Sequence, residues 1–187
     1  KYSPGKYKFD HIYHIPGNDK TIISNQVSAL MQDDEGYLWI GTNSSGLDRM
    51  NLDNHTIQHY QEDKKRTDAL SSNNISDLYQ DRNGDIWIGL WRGIGFNKYN
   101  RNTDNFTLFT LNPNSLKSDW YNDFLEDSQG NFWTGIWGAS GMQLFDRQSG
   151  CFTDSTFNPM KNNPINKRIS ALAYDGERYL WIGSKQT

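Results

Sequence analysis

The chain has 187 residues, with 19 basic against 22 acidic side chains and a formal charge of −3, so it offers no electrostatic grip on nucleic acid or an anionic membrane. Aromatic content is 14 % while mean hydropathy is −0.85, a combination that indicates many short strands with large buried rings between polar turns. The single cysteine, Cys151, excludes an internal disulfide and a multi-cysteine metal site, and no run of about 18 apolar residues exists to cross a bilayer as a helix.

Residues 1–9 are polar and aromatic rather than signal-like, and residues 9–13 read as the last strand of a preceding unit. An apolar strand at 27–32 leads into the turn Asp33-Asp34-Glu35-Gly36 and a second strand, Tyr37-Leu38-Trp39-Ile40-Gly41. A third strand is expected over 46–51 and a fourth over 56–60. The basic triplet Lys64-Lys65-Arg66, flanked by Glu62, Asp63 and Asp68, reads as a solvated loop tip. The order then recurs. A strand at 75–80 precedes Asp81-Arg82-Asn83-Gly84 and Asp85-Ile86-Trp87-Ile88-Gly89, followed by strands at 93–99 and 105–109. Another at 121–126 precedes Asp127-Ser128-Gln129-Gly130 and Asn131-Phe132-Trp133-Thr134-Gly135, followed by strands at 141–146 and 151–156. A last strand at 169–174 meets the variant turn Asp175-Gly176-Glu177-Arg178 and then Tyr179-Leu180-Trp181-Ile182-Gly183.

The four tryptophans are spaced by 48, 46 and 48 residues. Four short strands per repeat of roughly 47 residues is the arithmetic of a propeller blade, and the apolar spacing of a helical solenoid is absent. The expected fold is all-β: a β-propeller segment of four-stranded antiparallel blades, part of a larger ring. Whole blades are expected at 25–62, 73–110 and 119–157, with the last strand of a preceding blade within 1–14 and two strands of a further blade at 167–187. Trp39, Trp87, Trp133 and Trp181 are read as the repeat core, with Gly41, Gly89, Gly135 and Gly183 where a neighbouring strand comes close or the chain bends.

Strand order gathers the loop entering each first strand and the loop between strands two and three on one face of the ring. Trp91 and Trp137 occupy equivalent positions there, and Trp120 stands at the entry to a first strand. Their rings suit stacking on a sugar, with Arg92, Asp119 and Asn74 supplying directional polar contacts; the competing reading is that they plug the top of the inter-blade packing. No metal site is assigned. Asp81-Arg82-Asn83-Gly84-Asp85 lacks the later glycine and bidentate glutamate of a calcium loop and reads as a hairpin turn. His11, His14, His55 and His59 are placed on exposed blade edges, and no elbow motif marks a nucleophile.

The unit from Ile75 to Gly89, Ile-Ser-Asp-Leu-Tyr-Gln-Asp-Arg-Asn-Gly-Asp-Ile-Trp-Ile-Gly, preceded by Leu70-Ser71-Ser72-Asn73-Asn74, resembles the two-component regulator propeller repeat. Gly46-Leu47-Asp48-Arg49-Met50-Asn51 resembles that repeat's third strand and Asn105-Phe106-Thr107-Leu108-Phe109 its fourth. Thr134 in place of an aliphatic residue, and the altered fourth turn, depart from it. Such repeats typify the periplasmic part of hybrid two-component sensors in glycan-degrading bacteria, ahead of a membrane helix, a histidine kinase, a receiver and a DNA-binding domain. The resemblance implies a periplasmic, ligand-sensing or signal-transmitting segment without cofactor or catalysis of its own. Its implied partners are an oligosaccharide, and the remaining blades or a second copy. The alternatives are a propeller enzyme acting on carbohydrate, a lyase or glycosidase, or a structural scaffold. An enzyme needs a convergent acid/base pair, and Asp119 is the one carboxylate that strand order places on the loop face.

Overall fold

The computed structural model describes residues 11–91, 95–110, 120–137, 141–152 and 168–185, with the backbone alone at 120–122. Among the described residues fourteen strands form three four-stranded sheets and one two-stranded sheet, and every pairing between them is antiparallel. The first sheet is β1 (Val27–Gln32), β2 (Tyr37–Thr42), β3 (Leu47–Asn51) and β4 (Ile57–Tyr60). The second is β5 (Ile75–Gln80), β6 (Ile86–Leu90), β7 (Gly95–Asn100) and β8 (Asn105–Thr110). The third is β9 (Trp120–Glu126), β10 (Phe132–Trp137), β11 (Met142–Asp146) and β12 (Cys151–Phe152), and the fourth is β13 (Ile169–Tyr174) with β14 (Leu180–Ser184). Spatial order equals sequence order in each sheet, the up-and-down arrangement of propeller blades. Residues 11–26 carry no strand.

The turn aspartates explain why each inner hairpin forms. Asp33 Oδ1 accepts the backbone N–H groups of Glu35 and Tyr37, and its Oδ2 accepts the indole N–H of Trp39 at 2.8 Å. Asp81 does the same for Asn83, Asp85 and Trp87, and Asp127 for Gln129, Asn131 and Trp133. One carboxylate thus satisfies a turn and a core indole six residues on, which buried polar groups require. Gly36, Gly84 and Gly130 close these turns at φ of +83°, +82° and +85°, a conformation that favours glycine. The oxygens of Asp81 are therefore engaged within the protein, and Arg147 adds a contact at 2.7 Å.

The core lies between sheets. Trp39 sits between Tyr60 and Tyr99, while Trp87 meets Phe132 and Phe145 of the next sheet. Trp133 packs against the buried cluster of Met142, Ile169 and Leu172. Trp181 differs: it is 63 % exposed, because no further sheet covers its face among the described residues. A Cβ on Gly41 would lie 2.6 Å from Ile75 Cγ2, and one on Gly135 2.8 Å from Ile169 Cγ2. Each is a point where the next inner strand presses on the hairpin. The Lys64–Arg66 tip is solvated, with Lys64 87 % exposed and Arg66 held by Asp68 at 3.0 Å.

Candidate functional site

Entry loops and second-to-third-strand connections share one face, tied alike from blade to blade. The N–H of Asn43 donates to Gln26 C=O at 3.0 Å, that of Trp91 to Asn74 C=O at 2.9 Å, and that of Lys185 to Arg168 C=O at 3.2 Å. In the third sheet Trp137 is the register partner of Trp120. Trp91 is thereby set beside Asn74, and Trp137 beside the backbone of Trp120. Trp91 and Trp137 are half-buried. Asn74 turns its side-chain amide to Ser72 Oγ at 3.4 Å. Arg92, Asp119 and the Trp120 side chain lie outside the described residues.

The inner strands carry a second constellation that the sequence reading missed. β1 packs on β5, β5 on β9 and β9 on β13. Each inner hairpin has a register shift at the same place, between Val27 and Ala29, Ile75 and Asp77, Tyr121 and Asp123, and Ile169 and Ala171. A bulge re-aims the side chain beside it. The residues so placed are Ala29, Asp77, Asp123 and Ala171.

Asp77 Oδ2 accepts the N–H of Phe124 at 3.0 Å, and Asp123 Oδ2 accepts that of Leu172, so each carboxyl ties its own inner strand to the next. The two carboxyls lie close enough to act on one another's ionisation. Burial, then the neighbouring charge of Asp123, pushes Asp77 up to about 8, and burial raises Asp123. No lysine, arginine or histidine stands on β1, β2, β5, β6, β9, β10 or β13. With no basic side chain on these strands, two adjacent carboxylates cannot both ionise at low cost, and the raised Asp77 holds a proton at neutral pH. The signal available in the sequence was an aspartate where sister repeats carry alanine.

With this geometry in place, two segments match the family described as two-component regulator propeller, residues 21–44 and 69–92, and these segments are repeats of that type. They coincide with the run into the first and second inner hairpins. Among solved structures, the chain is similar to the extracellular domain of a putative hybrid two-component system of B. thetaiotaomicron: 24 % identity, TM-score 0.68, over 86 % of this chain and 22 % of that one. The extracellular domain of a putative one-component system of the same organism gives 22 % identity and a TM-score of 0.68, over 92 % of this chain and 21 % of that one. The chain therefore spans about a fifth of either. Virginiamycin B lyase from Staphylococcus aureus is similar at 16 % identity and a TM-score of 0.52, over 66 % of this chain and 39 % of the lyase. No curated protein matches the chain by sequence. These likenesses show the propeller fold, and no helix among the described residues is long and apolar enough to cross a membrane.

Proposed function

We propose that this chain is part of the extracytoplasmic, ligand-sensing or signal-transmitting propeller of a hybrid two-component sensor, with its kinase elsewhere in the full protein, and that the ligand is a glycan-derived oligosaccharide. The observation that carries the reading is the two-component regulator propeller repeat at residues 21–44 and 69–92. The loop face supports it: half-buried Trp91 and Trp137 sit at equivalent positions of successive blades beside the polar Asn74. An indole face stacks on the apolar face of a sugar ring, and polar groups nearby fix its orientation.

Titration of the intact ectodomain with a glycan panel, followed by tryptophan fluorescence and NMR, tests the reading. The signals of Trp91 and Trp137 should move first, and Trp91→Ala should weaken binding about tenfold or more, as for a stacking anchor. Binding that survives both Trp91→Ala and Trp120→Ala would place the site elsewhere, and hydrolysis or elimination products would favour a propeller enzyme.

A further inference from the structure

The segment 14–23 lies against β3 and β4 of the first sheet. His14 donates its backbone N–H to Asn25 Oδ1 at 2.8 Å, its ring Nδ1 stands 2.7 Å from Ile22 C=O, and Ile22 itself is buried. The attachment centres on Asp48, whose side chain is fully buried. Its Oδ2 accepts the N–H of Ile23 at 2.7 Å, and its Oδ1 lies 2.6 Å from His59 Nδ1. On the other side of the ring, His59 Nε2 lies 2.8 Å from Asp19 C=O. Both ring nitrogens thus face oxygen acceptors. The two contacts coexist only while Asp48 and His59 together hold two protons, whether as imidazolium and carboxylate or as imidazole and carboxylic acid. Removing one proton turns a lone pair on Nδ1 or Nε2 against an oxygen.

The second sheet makes the same attachment without a titratable group. Asn97 occupies the position of Asp48: its Oδ1 accepts the N–H of Ser71 at 2.9 Å, and its Nδ2 donates to Ser71 Oγ at 3.0 Å. The register partner of Asp48 is His59, whereas that of Asn97 is Leu108. Successive blades therefore fasten their entering segments with different chemistry, one proton-dependent and one not.

We propose that the Asp48–His59 pair is a pH-sensitive latch that fastens segment 14–23 to the first blade, closed in mild acid and slackened as the pH rises. The titratable groups facing His59 are Asp48 on β3 and Asp19 on the segment itself, and His14 acts on Asp48 from the same side. Arg49, next along β3, points to the opposite face over the Tyr37 ring, and Tyr60 on β4 is engaged by Asp104. Burial disfavours the imidazolium, but the hydrogen bonds to Asp48 and to Asp19 C=O outweigh it and hold His59 above the ordinary histidine value. Burial pushes Asp48 upward against the N–H donors of His59 and Ile23; with both its oxygens accepting, the ion pair is the arrangement that fits. Because the folded value of His59 is raised, its contribution is complete below about pH 6.5 and is lost as pH rises through that folded value.

The test is amide-exchange protection at Ile23 and Ser71 in the 187-residue chain at pH 6.0 and 8.5, corrected for intrinsic exchange, with the His59 ring protons followed by NMR. Protection at Ile23 should fall about fivefold or more across that range while Ser71 holds, since one linked proton changes an opening equilibrium tenfold per pH unit at most. Asp48→Asn with His59→Leu removes both titratable groups while keeping an acceptor for the Ile23 N–H, and should make Ile23 as insensitive as Ser71. Equal responses at Ile23 and Ser71 in the unsubstituted chain would overturn the latch, as would a His59 titrating below the ordinary value. Neither measurement depends on the double variant folding.

Discussion

Asp77 and Asp123 show how one substitution within a repeat changes the physics of a junction. Where Ala29 and Ala171 leave the bulged inner strand apolar, the two aspartates add inter-blade hydrogen bonds at the cost of a proton held on Asp77. Asp77 is raised in the folded state, so between its unfolded value and about 8 the native chain binds more protons than the unfolded one. The contribution of Asp77 to stability then falls with rising pH through that window and levels off above it. Asp77→Asn keeps an acceptor for Phe124 N–H and a donor toward Asp123 without a titratable proton. Thermal melts from pH 5 to 8 should flatten in Asp77→Asn, and the variant should melt higher than the parent at pH 8. A parent whose melting point rises over that range would show that the pair is not protonated. Neither this pair nor the Asp48–His59 contact was legible from sequence. Their partners come from a neighbouring blade or from a cross-strand register, and period alone supplies neither. For the same reason the sequence places His59 on an exposed blade edge, whereas in the structure Asp48 holds it.

The inner hairpin is the element that the sequence specifies best. Its aspartate, tryptophan and terminal glycine stand at fixed offsets, and in the first three repeats the turn glycine does too; aspartate, turn glycine and tryptophan are joined by hydrogen bonds within seven residues, as at Asp33–Trp39. Local interactions of that kind leave a readable pattern. The outer strands are less marked: β4, Ile57–Tyr60, has four residues and carries no aspartate-to-tryptophan contact of its own to fix its position. The terminal glycine tests how hairpins meet. A Cβ at Gly41 would fall 2.6 Å from Ile75 Cγ2 and 3.0 Å from Ile75 Cβ, atoms of a stiff, fully buried side chain. Gly41→Ala should therefore cost about 1–3 kcal/mol, the range for overpacking a filled core. Ile75→Ala removes the obstruction while opening a cavity worth about 2–5 kcal/mol of its own. In denaturant melts of the full cycle, the double variant should be more stable than the sum of the single changes by at least about 0.5 kcal/mol. Strict additivity would mean that the two residues do not meet.

At the scale of the whole chain, three junctions repeat one kind of contact, in which the tryptophan-bearing face of a sheet receives the inner-strand face of the next. Leu78, Phe124 and Leu172 are buried on the inner-strand face, and Trp39 and Trp87 on the face that receives it. Their repeat counterparts are not: Leu30 is 62 % exposed on the first sheet, and Trp181 is 63 % exposed on the fourth. The chain in isolation thus presents two surfaces of the kind that pack at its own junctions, one suited to the other. Large exposed apolar groups on sheet faces, with strand edges beside them, favour association. The contact would join unlike surfaces, so it closes into a ring only if the rotation per blade returns to its start, and otherwise extends as open oligomers. Light scattering at micromolar concentration should therefore find species heavier than the 21.7 kDa monomer. Leu30→Glu and Trp181→Glu should each reduce that mass, because either places a charge in the contact. The combination should do no more than the stronger of the two, since both act on one interface. A monodisperse 21.7 kDa species from the unsubstituted chain would show instead that these faces do not recognise each other.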